Sequence, residues 1–402
     1  MFRRRIYLDY AAAAPETRGA ARAYARAARV FANPSSIHSD GVAAHRLLAK
    51  FRAQIASIFS AHQDEIVLCG GGTESDNLAV LGAWKQARLN PAFSEKKLHI
   101  ITTAIEHAAV LEACRHAEAM GAEVTYLGVG PDGRIDLKEL RAALRPETIL
   151  VSIAYANNEI GVVQPIREIA KEIRHFKKNL AGADPKTVTY PLFHTDACQT
   201  AAYLNTNVEQ LGVDLLTANG TKLGGPRGTA LLYVRRGTPV APMFYGGGQE
   251  SGLRSGTENL PGAAGLSAAL NEAAAHKDSE CVRLTALRDF FIGELIARFP
   301  EARINGSTTD RLPNNVHVSF PKIQSELLVL ELDARGIRAS AGSACSSAKE
   351  TSSHVLEALY CKDDEKKWGS VRFSFGRATS KKDLQKTLTA LEAIFKKYTS
   401  WR

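Results

Sequence analysis

Short β-branched runs alternating with helical stretches over residues 60–235 constrain this chain more than any other feature of its 402 residues. Strand candidates are Glu65–Cys69, Leu98–Thr103, Glu123–Leu127, Ile149–Ala154, Pro191–Thr195, Leu215–Ala218 and Ala230–Val234. Between them lie helix candidates at Glu74–Leu89, Ala108–Met120, Leu137–Leu144 and Ile166–His175. Strand-to-helix alternation requires crossovers, so the expected class is α/β, with a mostly parallel sheet covered by helices on both faces. Residues 179–190 read as a surface insertion. Beyond residue 261 the pattern changes to two long helical stretches, Gly262–Lys277 and Glu280–Phe299, and then to a smaller α+β segment. That segment contains Asn315–Phe320, Glu326–Ala334, Ile337–Ser340, Val371–Phe375 and Lys381–Lys397. The division expected is a large domain over residues 15–260 and a small one built from residues 1–14 and 261–402.

Apolar residues at 45% and charged residues at 23% are ordinary for a soluble globular chain. No apolar run reaches the ~18 residues a membrane helix needs. The segment before structured-looking sequence is too short for a signal or transit peptide, so the expected compartment is the cytoplasm. Net charge is +9 and the pI about 9.2, but no basic run exceeds three residues, as in Arg3-Arg-Arg5. Diffuse basicity affects solubility and encounter more than recognition, which argues against direct nucleic-acid binding. The six cysteines, at 69, 114, 198, 281, 345 and 361, show no C-x-x-C pair and no zinc-ligand spacing. No metal is expected, and all but Cys345 read as reduced, inert thiols.

Chemistry enters at Lys222, in Asp214-Leu-Leu-Thr-Ala-Asn-Gly-Thr-Lys222-Leu-Gly-Gly-Pro. Lysine most often has a solvated surface fate, but glycine-rich neighbours let a backbone approach a ligand closely. Asp196 lies 26 residues upstream with one strand between them. An amine that condenses with an aldehyde, plus a carboxylate that keeps a pyridine nitrogen protonated, is the pair that pyridoxal phosphate chemistry requires. Gly70-Gly-Gly-Thr-Glu-Ser75 follows a strand and opens a helix, fitting either a phosphate site or an ordinary cap by Thr73 or Ser75. His107 marks the next strand-to-helix junction, where it fits a ring stacked on a flat ligand or a helix cap. Asn157-Asn158 suits a turn, or an amide that donates to a phenolate oxygen, and Gln199 is a second such donor. Gly246–Asn259 is a glycine-rich loop, either an interdomain connector or an arm that carries Arg254 and Thr257 across a dimer interface. Arg372, on a strand candidate, fits a bidentate grip on a carboxylate or a structural ion pair. Cys345 stands among small residues, Ala339-Ser-Ala-Gly-Ser-Ala-Cys-Ser-Ser347, the composition of a mobile loop.

Taken in order, Tyr7-Leu-Asp-Tyr-Ala-Ala-Ala-Ala-Pro15, Asn33-Pro-Ser-Ser, Gly72-Thr-Glu-Ser-Asp-Asn77, Glu106-His107, Asn157-Asn-Glu-Ile-Gly-Val-Val-Gln164, Asp196, Lys222, Arg254-Ser-Gly-Thr257, Gly342-Ser-Ala-Cys345 and Val371-Arg372 resemble the cysteine desulfurases. These are fold-type I pyridoxal phosphate enzymes of the class V aminotransferase group. The resemblance implies that Lys222 is the Schiff-base lysine and moves protons, that His107 stacks over the ring, and that Asp196 pairs with the ring nitrogen. It implies that Asn158 and Gln199 bond the phenolate oxygen. It implies that Gly72 and Thr73 hold the phosphate, with Thr257 across a homodimer, and that Asn219 and Thr221 also bind the cofactor. Arg372 and Asn33 are implied for the L-cysteine carboxylate. Cys345 then takes the substrate sulfur as a persulfide and leaves L-alanine. A protein acceptor, an iron–sulfur scaffold or a tRNA-thiolation enzyme, is implied as partner.

Three positions depart from the family pattern: Thr221 where His usually precedes the lysine, Cys198 where Thr is common, and Gln249 where His is common. A hydroxyl at 221 keeps a donor for a phosphate but removes a titratable ring. The rival expectations are a selenocysteine lyase, an aminotransferase with no use for Cys345, and a non-catalytic scaffold on the same fold.

Overall fold

The computed structural model describes residues 5–93, 96–181, 189–342, 353–360 and 368–399. Cys345 and its neighbours Ser343 and Ala344, most of the expected insertion (182–188), and Arg402 lie outside the described residues.

The strands in chain order are β1 (Ile6–Tyr7), β2 (Ile66–Cys69), β3 (His99–Thr103), β4 (Glu123–Leu127), β5 (Thr148–Ser152), β6 (Leu192–Asp196), β7 (Leu215–Asn219), β8 (Ala230–Val234), β9 (Arg303–Ile304), β10 (Asn315–Pro321), β11 (Ile337–Arg338) and β12 (Trp368–Ser374). β2 to β8 form one seven-stranded sheet in the order β2-β8-β7-β6-β5-β3-β4. β4, β3, β5, β6 and β7 run parallel, and only β8 is reversed, pairing antiparallel with both β7 and β2. The α/β expectation therefore holds.

Burial on both faces explains why these strands read as continuous apolar runs. Successive side chains point to opposite faces, so neighbours in one strand enter different cores. Leu150, Leu192, Leu215 and Leu232 pack against helices Gly72–Arg88 and Ala108–Ala119. Val151, Phe193, Leu216 and Leu231 pack against helices Ser39–Phe59, Ile166–Ala181 and the start of Leu260–Arg298.

A second core surrounds the three-stranded antiparallel sheet β12-β10-β9. Phe291, Leu295, Phe320, Phe373, Phe375, Leu388 and Ile394 fill it. The chain's beginning joins this region, since Ile6 and Tyr7 pair in parallel with Ile337 and Arg338.

The two helical stretches expected after residue 261 are one 39-residue helix, Leu260–Arg298. Its polar middle, Lys277-Asp278-Ser279, lies where the helix leaves the first core, which holds Leu266 and Leu270, and enters the second, which holds Leu284 and Phe291. With no glycine or proline there, polarity alone does not stop a helix. Helices Arg18–Ala27 and Ser39–Phe59 have no counterpart among the sequence expectations.

Candidate active site

The carboxyl ends of β2, β3, β5, β6 and β7 open toward one cavity of about 200 Å³. Ligands bind in this position in open α/β sheets. Each strand delivers its residue through the turn that follows it. Gly72 and Thr73 come from the β2 turn, His107 from the β3 turn, Asn158 from the β5 turn, Asp196 and Gln199 from the end of β6, and Asn219 and Lys222 from the end of β7. Arg372 enters from β12, so the cavity lies between the two cores.

Lys222 ends a single helical turn, Gly220–Lys222, and its Nζ donates to the Ala12 carbonyl at 2.6 Å. Asn219 sets that turn: its Oδ1 accepts from the Thr221 N–H at 3.0 Å. Asp196 Oδ1 accepts from the Cys198 N–H at 2.8 Å, which aims the carboxylate into the cavity mouth. Gln199 Nε2 donates to the Ala11 carbonyl at 3.0 Å. His107 caps the helix Ala108–Ala119 through Nδ1, which accepts from the Ala109 N–H at 3.1 Å, and its ring also lines the cavity. The capping and ligand-facing readings of His107 are thus compatible.

Asn157 and Asn158 divide their labour. Asn157 is buried and makes the turn, accepting from the Glu159 and Ile160 N–H groups and donating to the Ile105 carbonyl. The Asn158 carbonyl accepts from Arg372 Nη1 at 2.9 Å. Arg372 is 1% exposed; its Nη2 pairs with Asp9 at 2.9 Å, while its buried Nε has no partner.

Three expected site residues do not reach the cavity within this chain. Asn33 is exposed, and its side chain accepts from the Ser35 N–H. Thr257 is exposed in the Gly246–Asn259 loop. Thr221 lines a neighbouring cleft with Tyr7, Tyr24 and Arg227 instead. The reason is local: the one-turn helix that points Lys222 inward turns the residue before it to the other side. Cys345 lies outside the described residues.

The structure also brings in acids that motif spacing did not single out. Asp76 lines the cavity and is fully buried; burial, and after it Asp196, raise its carboxyl well above the usual range. Burial pushes the Glu106 carboxyl up to about 8, although it accepts from the Thr103 hydroxyl and the Ala154 N–H. Burial raises the Cys198 thiol, helped by Asp196, so this second thiol is neutral near pH 7. Cys69 and Cys114 are pushed up to about 12 by burial, as inert core thiols should be.

The donor set suits an anionic aromatic ligand. At the amino end of Gly72–Arg88 a side chain would be crowded, because a Cβ on Gly72 would stand 3.0 Å from Cys198 Sγ and 3.2 Å from Asn219 Nδ2. That leaves a cradle of backbone N–H groups at a helix N-terminus, where a phosphate is favoured. Beyond it lie a flat imidazole, a carboxylate, neutral amide donors and a lysine amine. These residues fit pyridoxal phosphate. Among the described residues no cluster of His, Cys, Asp or Glu could hold a metal ion, and no helix is long and apolar enough to cross a membrane.

Known proteins resemble this chain in sequence and fold. The family model for aminotransferase class V matches residues 6–387. The chain is 42% identical over 398 residues to the cysteine desulfurase IscS of Dictyoglomus turgidum (strain DSM 6724 / Z-1310), covering 98% of this chain and 95% of that one. A solved NifS-like protein superposes with a TM-score of 0.87 at 30% identity, over 98% of this chain and all (100%) of the other. SspA, solved in complex with cysteine, superposes with a TM-score of 0.76 at 32% identity, over 92% of this chain and 98% of the other.

Proposed function

Because the chain belongs to the class V aminotransferase family, we propose that it is a pyridoxal-phosphate-dependent cysteine desulfurase, which removes sulfur from L-cysteine to leave L-alanine and a persulfide on Cys345. The observation that carries this reading is the convergence of Lys222, Asp196, His107, Gln199 and Arg372 on one cavity.

When bound, pyridoxal phosphate supplies a sink for the electron pair left as bonds at the substrate break. The protein's part is placement and proton transfer. Gly72 and Thr73 would hold the phosphate, with Asn219 beside them and Thr257 contributed across a homodimer interface. Asp196 would keep the ring nitrogen protonated, His107 would pack on the ring, and Asn158 and Gln199 would donate to its oxygen. Lys222 gives and takes protons at Nζ. Arg372 grips the substrate carboxylate through Nη N–H groups that Asn158 and Asp9 do not use. The Cys345 thiolate attacks the substrate sulfur, the carbon–sulfur bond breaks, and the sulfur stays on Cys345.

The persulfide then passes to a protein acceptor, an iron–sulfur scaffold or a tRNA-thiolation enzyme, in the cytoplasm. Residues 15–260 act as the coenzyme-binding unit, and residues 1–14 with 261–402 act as the unit that brings Cys345 to it.

Purified full-length protein supplied with pyridoxal phosphate, L-cysteine and a reductant should release equal amounts of sulfide and alanine. Both products should vanish in Cys345→Ala and Lys222→Ala. Borohydride reduction should leave a coenzyme adduct on the peptide that contains Lys222. Turnover unchanged in Cys345→Ala, or no adduct at Lys222, would falsify the reading.

A further inference from the structure

Residues 343–352, which contain Cys345, connect two ends that meet at one point, Gly342 and Ser353. A Cβ built on Gly342 would stand 3.9 Å from the Ser353 Cβ and 3.2 Å from Glu159 Oε2. The Ser353 hydroxyl donates to that same oxygen at 2.6 Å. Glu159 is 1% exposed and directly follows Asn158 in the β5 turn. Gly342 has φ +86°, a left-handed conformation that glycine adopts freely, and it lacks the side chain that would press on the carboxylate. The stretch with Cys345 is therefore joined to the rest of the protein through a single neck, with one buried carboxylate at its centre.

Each side of the neck is tied to a different wall of the cavity. On the entering side, Ser340 pairs with Arg372 through both backbone groups, at 3.2 and 2.7 Å, and its hydroxyl donates to the Gly342 carbonyl at 3.1 Å. On the returning side, Ser353 caps the helix His354–Leu359 by accepting from the Leu356 N–H at 3.3 Å, and His354 Nε2 donates to the Glu106 carbonyl at 2.9 Å. Val355, Leu356 and Leu359 pack with Ile105, Ile160 and Val162, which seats this helix on the turns that carry His107 and Asn158. Glu159 is where the two sides join, and its own backbone is fixed. Its N–H donates to Asn157 Oδ1 at 2.8 Å, and its carbonyl accepts from Asn315 Nδ2 at 3.0 Å.

We propose that Glu159 is a positioning residue for the sulfur-accepting thiol: by holding Ser353 against Gly342, it fixes the point from which Cys345 is presented to the cavity. Cys345 is three residues from Gly342 and eight from Ser353, so the shorter side limits its reach from Gly342 to roughly 10 Å at full extension. Opening the neck widens the range over which the thiol is spread and dilutes it at the cavity. Misplacing a reacting pair by an ångström costs about a hundredfold in rate. The consequence for catalysis rests on the desulfurase reading; the neck itself does not.

Two measurements on the full-length protein test this. Hydrogen exchange of the peptide spanning 353–360, with and without pyridoxal phosphate, reads the neck, and alanine formation from L-cysteine reads the thiol. Glu159→Ala should speed exchange in that peptide about tenfold or more, as for loss of a hydrogen bond to a charged group, and leave peptides of β10 and β12 unchanged. Its kcat should fall about tenfold or more, with KM for L-cysteine and the affinity for pyridoxal phosphate held at wild-type values. Ser353→Asp keeps a good helix cap but sets a second carboxylate against Glu159, so it should show the same two changes. Ser353→Thr, which keeps the hydroxyl, should show neither. Unchanged exchange or unchanged kcat in Glu159→Ala, or a loss carried by KM or by coenzyme affinity, overturns the proposal. If Glu159→Ala does not fold, Ser353→Asp beside Ser353→Thr decides it. Wild-type protein that forms no alanine sinks the desulfurase reading, and the exchange data then decide on the neck alone.

Discussion

Gly72→Ala separates cofactor binding from folding with one methyl group. The added carbon would sit 3.0 Å from Cys198 Sγ and 3.2 Å from Asn219 Nδ2, so each neighbour must retreat by a few tenths of an ångström. Both can retreat only into the cavity they line. The Cys198 N–H is tied to Asp196 at 2.8 Å, and Asn219 holds the Thr221 N–H at 3.0 Å, one residue before Lys222. Overpacking of this kind costs roughly 1–3 kcal/mol, and the small displacement points to the lower end. In the apo-protein the side chains relax into the cavity, so the cost falls on the loaded state, and about 1.4 kcal/mol there weakens binding about tenfold. Alanine is also the better helix former, so the apo-protein should melt at an unchanged or higher temperature. Absorbance titration with pyridoxal phosphate, beside calorimetry of the apo-protein, reads both quantities. Adding Cys198→Ala removes the 3.0 Å contact and should restore most of the lost affinity, a coupling of about 0.5–3 kcal/mol. Wild-type affinity in Gly72→Ala, or no recovery in the double variant, would refute this account of the cradle.

Arg372→Lys should lower kcat/KM for L-cysteine by about thirtyfold or more, roughly the 2 kcal/mol lower bound for truncating a buried charged contact. A lysine ammonium is a compact point charge that cannot span the Asn158 carbonyl, Asp9 and a substrate carboxylate as the planar guanidinium fork does; an unchanged saturation curve removes Arg372 from substrate binding. Glu250 accepts from both Nη atoms of Arg52 at 2.7 Å and from the Leu68 N–H at 2.8 Å. Glu250→Gln should therefore cost a large part of the ~3–5 kcal/mol typical of breaking a buried pair, and an unmoved urea midpoint would contradict it. The Glu106 carboxyl is pushed up to about 8 from 4.5, so the folded state binds a proton that the unfolded state has lost, and stability must fall as pH rises through that window. The buried histidines His99, His194 and His317, depressed to about 4, 4 and 3, act in the opposite sense but only below their unfolded value of 6.5. Between pH 6.5 and 8 the decline thus isolates the acids, and Glu106→Gln should flatten it in denaturant titrations; an equal slope in both proteins would show that Glu106 is ionised when folded.

What the sequence made legible follows from how far each signal reaches along the chain. The sheet was readable because burial on two faces turns each strand into a short apolar run, and because glycine-rich turns mark where those runs end. Lys222, Asp196, His107 and Gly72 were readable for the same reason, since each stands within a few residues of a strand end. The single helix Leu260–Arg298 was not, because its polar middle reflects a passage between two cores and not a break in the backbone. Asp76 and Glu106 were not, because a carboxylate beside a strand end is ambiguous until its burial is known. Arg372 shows the limit most directly. A structural ion pair and a grip on substrate stood as alternatives in the sequence, yet the partner that decides, Asp9, is 363 residues away. Folded, Arg372 has Nη2 committed to Asp9, Nη1 to Asn158, and Nε buried with no partner. The ion pair holds the guanidinium rigid, and each Nη keeps a second N–H beyond the bond it already makes. The structure thus shows the ion pair, and that bond would hold the guanidinium ready for the carboxylate grip proposed above.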